Sequence, residues 1–329
     1  MTVIAIEEHW TSPRLAAALL QVPPERFDDS LALNDGGDVH DRLEDLGDAR
    51  IADMDTQGID VAVVSLAPPG TGPLSPGDAV SFSRELNDIA AEAVARHPTR
   101  LRAMATLPMA HIASTAAELE RATRLGLVGA MVYGRTGDIT LDDPRYDDLF
   151  ATAADLGQPI FIHPQIPPRA VREASYSGFD EMTDLALSTF GWGWHLEAGL
   201  AALRLIARGT FDRHPDLKIV LGHWGELLPL WSDRTNGIAR VAGLQRSVAD
   251  TIRSNVYITN SGMLSAPLLH HTLSVTTIDR LMFSTDYPFQ RPTREQVAAF
   301  LTELPTDADR RSFTADNARR LFNIEDAGA

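Results

Sequence analysis

Val3-Ile4-Ala5-Ile6-Glu7-Glu8-His9 is an apolar run that breaks, within three residues, into two carboxylates and an imidazole. Seven more β-rich stretches follow: Val61–Leu66 (VAVVSL), Leu101–Thr106 (LRAMAT), Val128–Val132 (VGAMV), Pro159–His163 (PIFIH), Lys218–Leu221 (KIVL), Val256–Thr259 (VYIT) and Arg280–Ser284 (RLMFS). Most are continuous apolar runs rather than alternations, the pattern of parallel strands covered on both faces. Helical segments lie between them: Arg42–Gln57, Ala79–Arg96, Ile112–Leu125, Pro144–Ala154, Leu196–Ala207, Leu227–Val241, Ala266–Leu273 and Arg294–Leu301, with Thr306–Phe322 as a tail. Gly58, Gly126 and Gly157 stand where helix stops need a glycine.

Eight strands alternating with helices predict an α/β fold, a (β/α)8 TIM barrel. An open doubly wound sheet fits less well, because no Gly-x-Gly-x-x-Gly or phosphate-loop pattern follows an early strand. Two connections exceed ordinary barrel loops: residues 10–60 after the first strand and 164–217 after the fifth. The second holds Trp192, Trp194 and His195 and is expected to cover the barrel mouth. No repeat or linker divides the chain, so a single domain over residues 1–329 is expected.

Composition narrows the function classes. Hydrophobic residues are 44% and charged residues 22% of the 329, an ordinary globular balance. The formal net charge of −16 argues against nucleic-acid or anionic-membrane partners, which need clustered Lys and Arg. With no cysteine, disulfides, thiolate metal sites and a thiol nucleophile are excluded. No signal-like N-terminus and no long apolar span is present, so a soluble, cytoplasmic protein is expected.

Barrel chemistry sits where strands end. In an extended strand alternate residues share a face, so Glu7 and His9 point together and Glu8 away. The fifth strand ends at His163, the sixth at His223 and the eighth at Asp286. One such histidine is more often a hydrogen-bonded structural residue, Asp286 alone a turn aspartate, and Glu226 alone a solvated first-turn glutamate. Ligand-type residues at four separate strand ends reverse that reading, and neutral imidazoles with carboxylates suit zinc or manganese. Tyr133 and Arg135 follow the fourth strand on the same rim, and Arg234 follows His223 on a helix; each is a candidate for meeting a substrate carboxylate. Trp192 and Trp194 are candidate walls for a ring, with His195 an extra polar group. His40, His97, His111, His214 and the His270-His271 pair read as surface, capping or helix-face residues.

On these motifs the chain resembles the decarboxylase branch of the amidohydrolase superfamily. The likeness runs from Ala5-Ile6-Glu7-Glu8-His9 through Arg50-Ile51-Ala52-Asp53-Met54-Asp55, Ile162-His163-Pro164, Ala202-Leu203-Arg204-Leu205-Ile206, Leu221-Gly222-His223-Trp224-Gly225-Glu226 and Phe283–Phe289 to Asn317–Phe322. The resemblance implies Glu7, His9, His163 and Asp286 as ligands of one divalent ion, zinc or manganese. It implies His223 with Glu226 as a catalytic pair, Asp286 as proton donor, and Arg234 near the substrate. A Glu-x-His first strand, with no lysine at a strand end to bridge two metals, favours one ion over a binuclear centre. The expected activity is non-oxidative decarboxylation of a hydroxylated aromatic or enol-type carboxylate, by a carbon–carbon lyase working as a homodimer or homotetramer. The same ligands would equally serve a hydrolase of a cyclic ester, lactone or amide, and a catalytically silent barrel is the third reading. Relatives carry Asn where this chain has Tyr133, and the run Phe190–His195 differs from theirs, so the substrate itself stays open.

Overall fold

The computed structural model describes residues 1–325; the last four positions of the domain expected over 1–329 lie outside the described residues. Eight parallel strands close into a barrel: β1 (Ile4–Trp10), β2 (Val61–Leu66), β3 (Leu101–Ala103, resumed at Ala105–Thr106), β4 (Ala130–Tyr133), β5 (Ile160–His163), β6 (Ile219–Leu221), β7 (Val256–Thr259) and β8 (Leu281–Met282). β3 pairs with β2 through its first half and with β4 through its second. Across the seam between β8 and β1, Ile6 N donates to Phe283 O at 3.2 Å and His9 N to Tyr287 O at 2.7 Å. The eighth strand is shorter than its apolar run, because the chain turns at Phe283, whose N–H goes to Phe313 O in the last helical segment.

Alternation sorts the side chains into two cores. Ile4, Ile6, Val61, Val63, Met104, Met131, Phe161, Val220, Tyr257 and Met282 fill the barrel, and Ala318, Leu321 and Phe322 of the last helix plug its bottom. The intervening residues, such as Ala5, Ala62, Ile162 and Ile258, pack outward against the helix layer. The helix Pro76–Arg96 shows how that layer is written: Ser75 caps it, proline opens it, and Ala79, Phe82, Leu86, Ala90 and Ala93 bury one stripe.

Several boundaries depart from the periodicity. The segment Arg42–Gln57 is two helices, Val39–Glu44 and Asp48–Gln57, because the Asp45 carboxylate accepts from Gly47 N and Arg50 N and so starts a new helix. Leu227–Val241 becomes a helix only at Ser232, after a left-handed turn and a 3-10 segment. The helix Val248–Asn255, capped by Ser247, adds an element between the helix Ser232–Ala242 and β7 that the strand–helix alternation does not predict. The tail Thr306–Phe322 contains a π turn at Ser312–Asp316.

The two long connections are helical and tied together, since Arg172 pairs with Asp29 and Arg169 Nη2 reaches Pro24 O at 3.4 Å. Between them lies a cavity of about 900 Å³, lined by Leu19, Phe27 and Leu31 on one side and Tyr176, Met182 and Leu185 on the other, with Thr11 and Pro68 also facing it. Among the described residues no helix is long and apolar enough to cross a membrane.

At the barrel bottom, buried Asn317 donates its amide to Ile278 O and Leu281 O, both at 2.7 Å. Asn317→Ala strands two carbonyls and is expected to cost about 2–4 kcal/mol, read as a lower urea midpoint with an unchanged m-value.

Candidate metal centre

The strand that carries the first two acidic residues does not obey alternation. Ile4 and Ile6 face the barrel interior, so strict alternation aims Glu8 inward and Glu7 outward. The pairing of β1 with β2 instead slips between Ile6 and Glu8, and Glu7 takes φ +74°. This bulge turns Glu7 and His9 inward and Glu8 outward. The sequence-based pairing of Glu7 with His9 therefore holds, but by a different cause.

Three hydroxyls, from the end of β7, the loop after it and the segment just past β8, fix Glu7. Its Oε2 accepts from Thr259 Oγ1 at 3.0 Å, from Ser284 Oγ at 3.2 Å, and from Ser261 Oγ. Its Oε1 is buried without a hydrogen bond, 3.8 Å from His163 Nε2. His163 Nδ1 donates to Pro164 O at 2.8 Å, which leaves Nε2 a bare acceptor. His9 Nδ1 lies 3.4 Å from Ser65 Oγ, and its buried Nε2 makes no hydrogen bond while sitting 3.2 Å from Asp286 Oδ1. The ligand-type atoms of Glu7, His9, His163 and Asp286 all lie within 4.8 Å of one another.

The carboxylates of Glu7 and Asp286, brought together with buried imidazole nitrogens, repel one another unless positive charge joins them. Two ligands about 2.1 Å from one ion and about 90–110° apart are themselves about 3.0–3.4 Å apart, and His9 Nε2 and Asp286 Oδ1 meet that spacing at 3.2 Å. Burial pushes the Glu7 carboxyl up to about 8, with Asp286 and Glu226 adding and His223 and Ser261 opposing. Burial, and then His9, bring His163 down to about 3, which keeps it in the neutral form a metal binds. The residues present fit a divalent cation.

Glycine makes the room. At Gly222 the backbone is ordinary (φ −73°), yet an added Cβ would stand 2.6 Å from Glu7 Oε1 and 2.9 Å from Ser261 Oγ. Beyond it, His223, Trp224, Gly225, Glu226 and Leu227 all have positive φ, a left-handed turn strained enough to need fixing from outside. His223 N donates to Ser261 Oγ at 2.7 Å, and Trp224 Nε1 donates to Met263 O at 2.9 Å. In consequence Glu226, expected as an exposed first-turn residue on its own, is buried.

Glu226 Oε1 is 2.8 Å from His223 Nδ1, and Oε2 is 2.8 Å from His195 Nδ1. His223 Nε2 faces Asp286 Oδ2 at 3.8 Å. Burial would raise the Glu226 carboxyl, but His223 and His195 outweigh it and hold it at about 2. Burial would lower the His223 imidazole, but Glu226, Asp286 and Glu7 together hold it well above its usual range. Asp286 is held far below the carboxylate range, because His223 and His9 outweigh its burial.

The other predicted residues fall in different places. Tyr133 stands beside His163, ring centroids 5.9 Å apart, with its hydroxyl 3.4 Å from Leu66 O. The Trp194 ring is 6.4 Å from His163, and its Nε1 is buried without a partner. Trp192 is 48% exposed. Arg135 turns to Glu197 and Ile166 O and braces the loop after β4 against the helix Gly193–Ala207. Both nitrogens of His195 are engaged, leaving none for a substrate. Arg234 is exposed on the helix Ser232–Ala242.

Sequence reasoning missed the outer wall of the site. Glu8 accepts from Thr285 N at 2.9 Å and Thr285 Oγ1 at 2.6 Å, directly before Asp286. Buried Arg50 donates to His9 O at 2.5 Å, and its guanidinium lies 4.6 Å over the Tyr287 ring, directly after Asp286. Phe289 closes on His9 at 5.8 Å. The unused signal was the small polar residues Thr259, Ser261 and Ser284 around strand ends, where a barrel layer faces its mouth. Glu8→Ala, which frees Thr285 from β1, is expected to weaken metal affinity roughly 10–100-fold, measured by competition with a chelating dye.

Comparison with known proteins places this geometry. Residues 8–324 match the amidohydrolase family. The chain is 35% identical to Decarboxylase orsB of Emericella nidulans, over 89% of this chain and 87% of that one. It is 32% identical to the gamma-resorcylate decarboxylase of Polaromonas sp., over 98% of each. The structure of 5-carboxyvanillate decarboxylase from Novosphingobium aromaticivorans, complexed with manganese and 4-hydroxy-3-methoxy-5-nitrobenzoic acid, superimposes with a TM-score of 0.89 at 29% identity, covering 98% of this chain and 96% of that one. The chain belongs to the amidohydrolase family, in its decarboxylase branch, and is a metal-dependent carboxy-lyase.

Proposed function

We propose that this enzyme releases CO2 from an aromatic carboxylic acid bearing a hydroxyl beside the carboxylate, using one manganese or zinc ion held by Glu7, His9, His163 and Asp286. The observation that carries this reading is the pair of orphaned atoms, Glu7 Oε1 and His9 Nε2, converging beside Asp286 and the His223–Glu226 pair. Such an ion supplies positive charge that anchors the carboxylate and the neighbouring hydroxyl.

The side chains do the rest. Asp286 Oδ2 takes up a proton from solvent and hands it to the ring carbon that bears the carboxylate. The bond to the carboxylate then breaks, its electron pair returns to the ring, and CO2 leaves. His223, oriented by Glu226 through Nδ1, keeps Nε2 for the substrate hydroxyl. Trp194 and Tyr133 flank the ring, with Trp194 Nε1 free to donate. The relatives' names support an aromatic substrate, and the cavity between the two long connections, reaching Thr11 two residues beyond His9, offers its approach. We further propose a homo-oligomer, supported by the exposed apolar residues Trp192, Leu196 and Leu200, spaced as one stripe, and by exposed Leu230 and Trp231, with Arg234 exposed on the helix that follows them.

The test is metal content per chain by plasma mass spectrometry, followed by a panel of hydroxylated benzoates monitored for CO2. About one ion per chain and turnover of an ortho-hydroxylated member are expected. Two ions per chain, with ester or lactone cleavage and no CO2, would overturn the reading.

A further inference from the structure

His195 sits in the first turn of the helix Gly193–Ala207, and both of its ring nitrogens are engaged there. Nδ1 is 2.8 Å from Glu226 Oε2 and Nε2 is 3.0 Å from Phe190 O. An ionised carboxylate only accepts, so the Nδ1 of His195 donates to Glu226, with Nε2 against Phe190 O. Glu226 thereby bridges two imidazoles, His223 on one oxygen and His195 on the other, with ring centroids 4.7 Å apart.

The backbone around His195 is built to hold this contact. A Cβ at Gly191 would stand 2.8 Å from Ala186 O, and one at Gly193 would stand 2.4 Å from Ser188 O. The turn carrying Phe190 is thus pressed against the end of the preceding helix, Glu181–Ser188. One helical turn past His195, a Cβ at Gly199 would meet Glu226 O at 2.3 Å. Only glycine lets the helix rest directly on the strained turn that presents His223 and Glu226.

We propose that His195 is a positioning residue: by filling the second oxygen of Glu226 it locks the His223 imidazole in register and fastens the Phe190–Trp192 turn to the catalytic pair. The connection after β5 and the left-handed turn after β6 then close as one unit. A free Glu226 Oε2 would let the carboxylate rotate about its own axis, and the His223 ring with it.

The proposal rests on the decarboxylase reading for its kinetic arm only. In the zinc-loaded holoenzyme labelled with ¹⁵N at histidine, the Nδ1 of His195 is expected to give a protonated signal, hydrogen-bonded to Glu226. An unprotonated Nδ1 there would overturn the proposal whatever the reaction is. For kinetics, the probe is the hydroxylated benzoate returned by the CO2 panel. His195→Leu is expected to lower kcat about 100-fold, with KM and zinc content unchanged within about threefold. His195→Asn, whose amide occupies the Nδ1 position and still reaches Glu226, should recover most of kcat; His195→Gln, whose amide occupies the Nε2 position, should not. Parental kcat in His195→Leu, or equal loss in all three folded variants, would show that the side chain only packs.

Discussion

Asp286→Asn is expected to lower kcat at least 1,000-fold while leaving the barrel folded and about one ion bound, the scale set by losing a positioned general acid. The amide has nearly the shape of the carboxylate, so packing at the end of β8 is kept. Glu7, His9 and His163 remain to hold the metal. What disappears is the group that can carry a proton 3.8 Å from His223 Nε2. Single-turnover CO2 release, metal analysis and a thermal melt together check the expectation. A variant with more than about a tenth of the parental kcat would reduce Asp286 to a ligand.

Gly222→Ala should weaken metal binding markedly, although it touches no ligand bond. Its backbone lies in a region alanine adopts freely, so the chain is not strained by the change. The new methyl lands 2.6 Å from Glu7 Oε1 and 3.2 Å from Glu226 Oε1. Glu7 is fully buried and pinned by three hydroxyls, so it can retreat only by giving them up. Overpacking of this kind costs about 1–3 kcal/mol, and a loss of affinity of roughly 5- to 150-fold follows when the cost falls on the bound state. Equilibrium dialysis with manganese measures it. Parental affinity would mean that Glu7 does not face the ion.

Much of this protein is legible in its sequence, for a definite reason. A strand buried on both faces must be apolar throughout, and a polar side chain at its end must face the barrel mouth, so VIAIEEH, PIFIH and IVLGH announce both strands and site. Both effects are local, and local geometry is what residue order encodes most directly. Residue order also explains the partial failures. Arg42–Gln57 keeps helical spacing across a break made by one carboxylate, that of Asp45, and period alone cannot register a cap inside a run.

What the tertiary structure decided are contacts between residues distant in the chain. Alternation counted from Ile4 would have sent Glu7 outward; only the slip of β1 against β2 brings it in. Glu8 reads as a spare acid until barrel closure sets Thr285 beside it, 277 positions away. Arg135 reads as a rim cation until the helix Gly193–Ala207 supplies Glu197, and His195 reads as a substrate contact until the same helix docks on Glu226. Each depends on which surfaces meet when the barrel closes, a choice made by the packing of the whole chain rather than by the residues themselves.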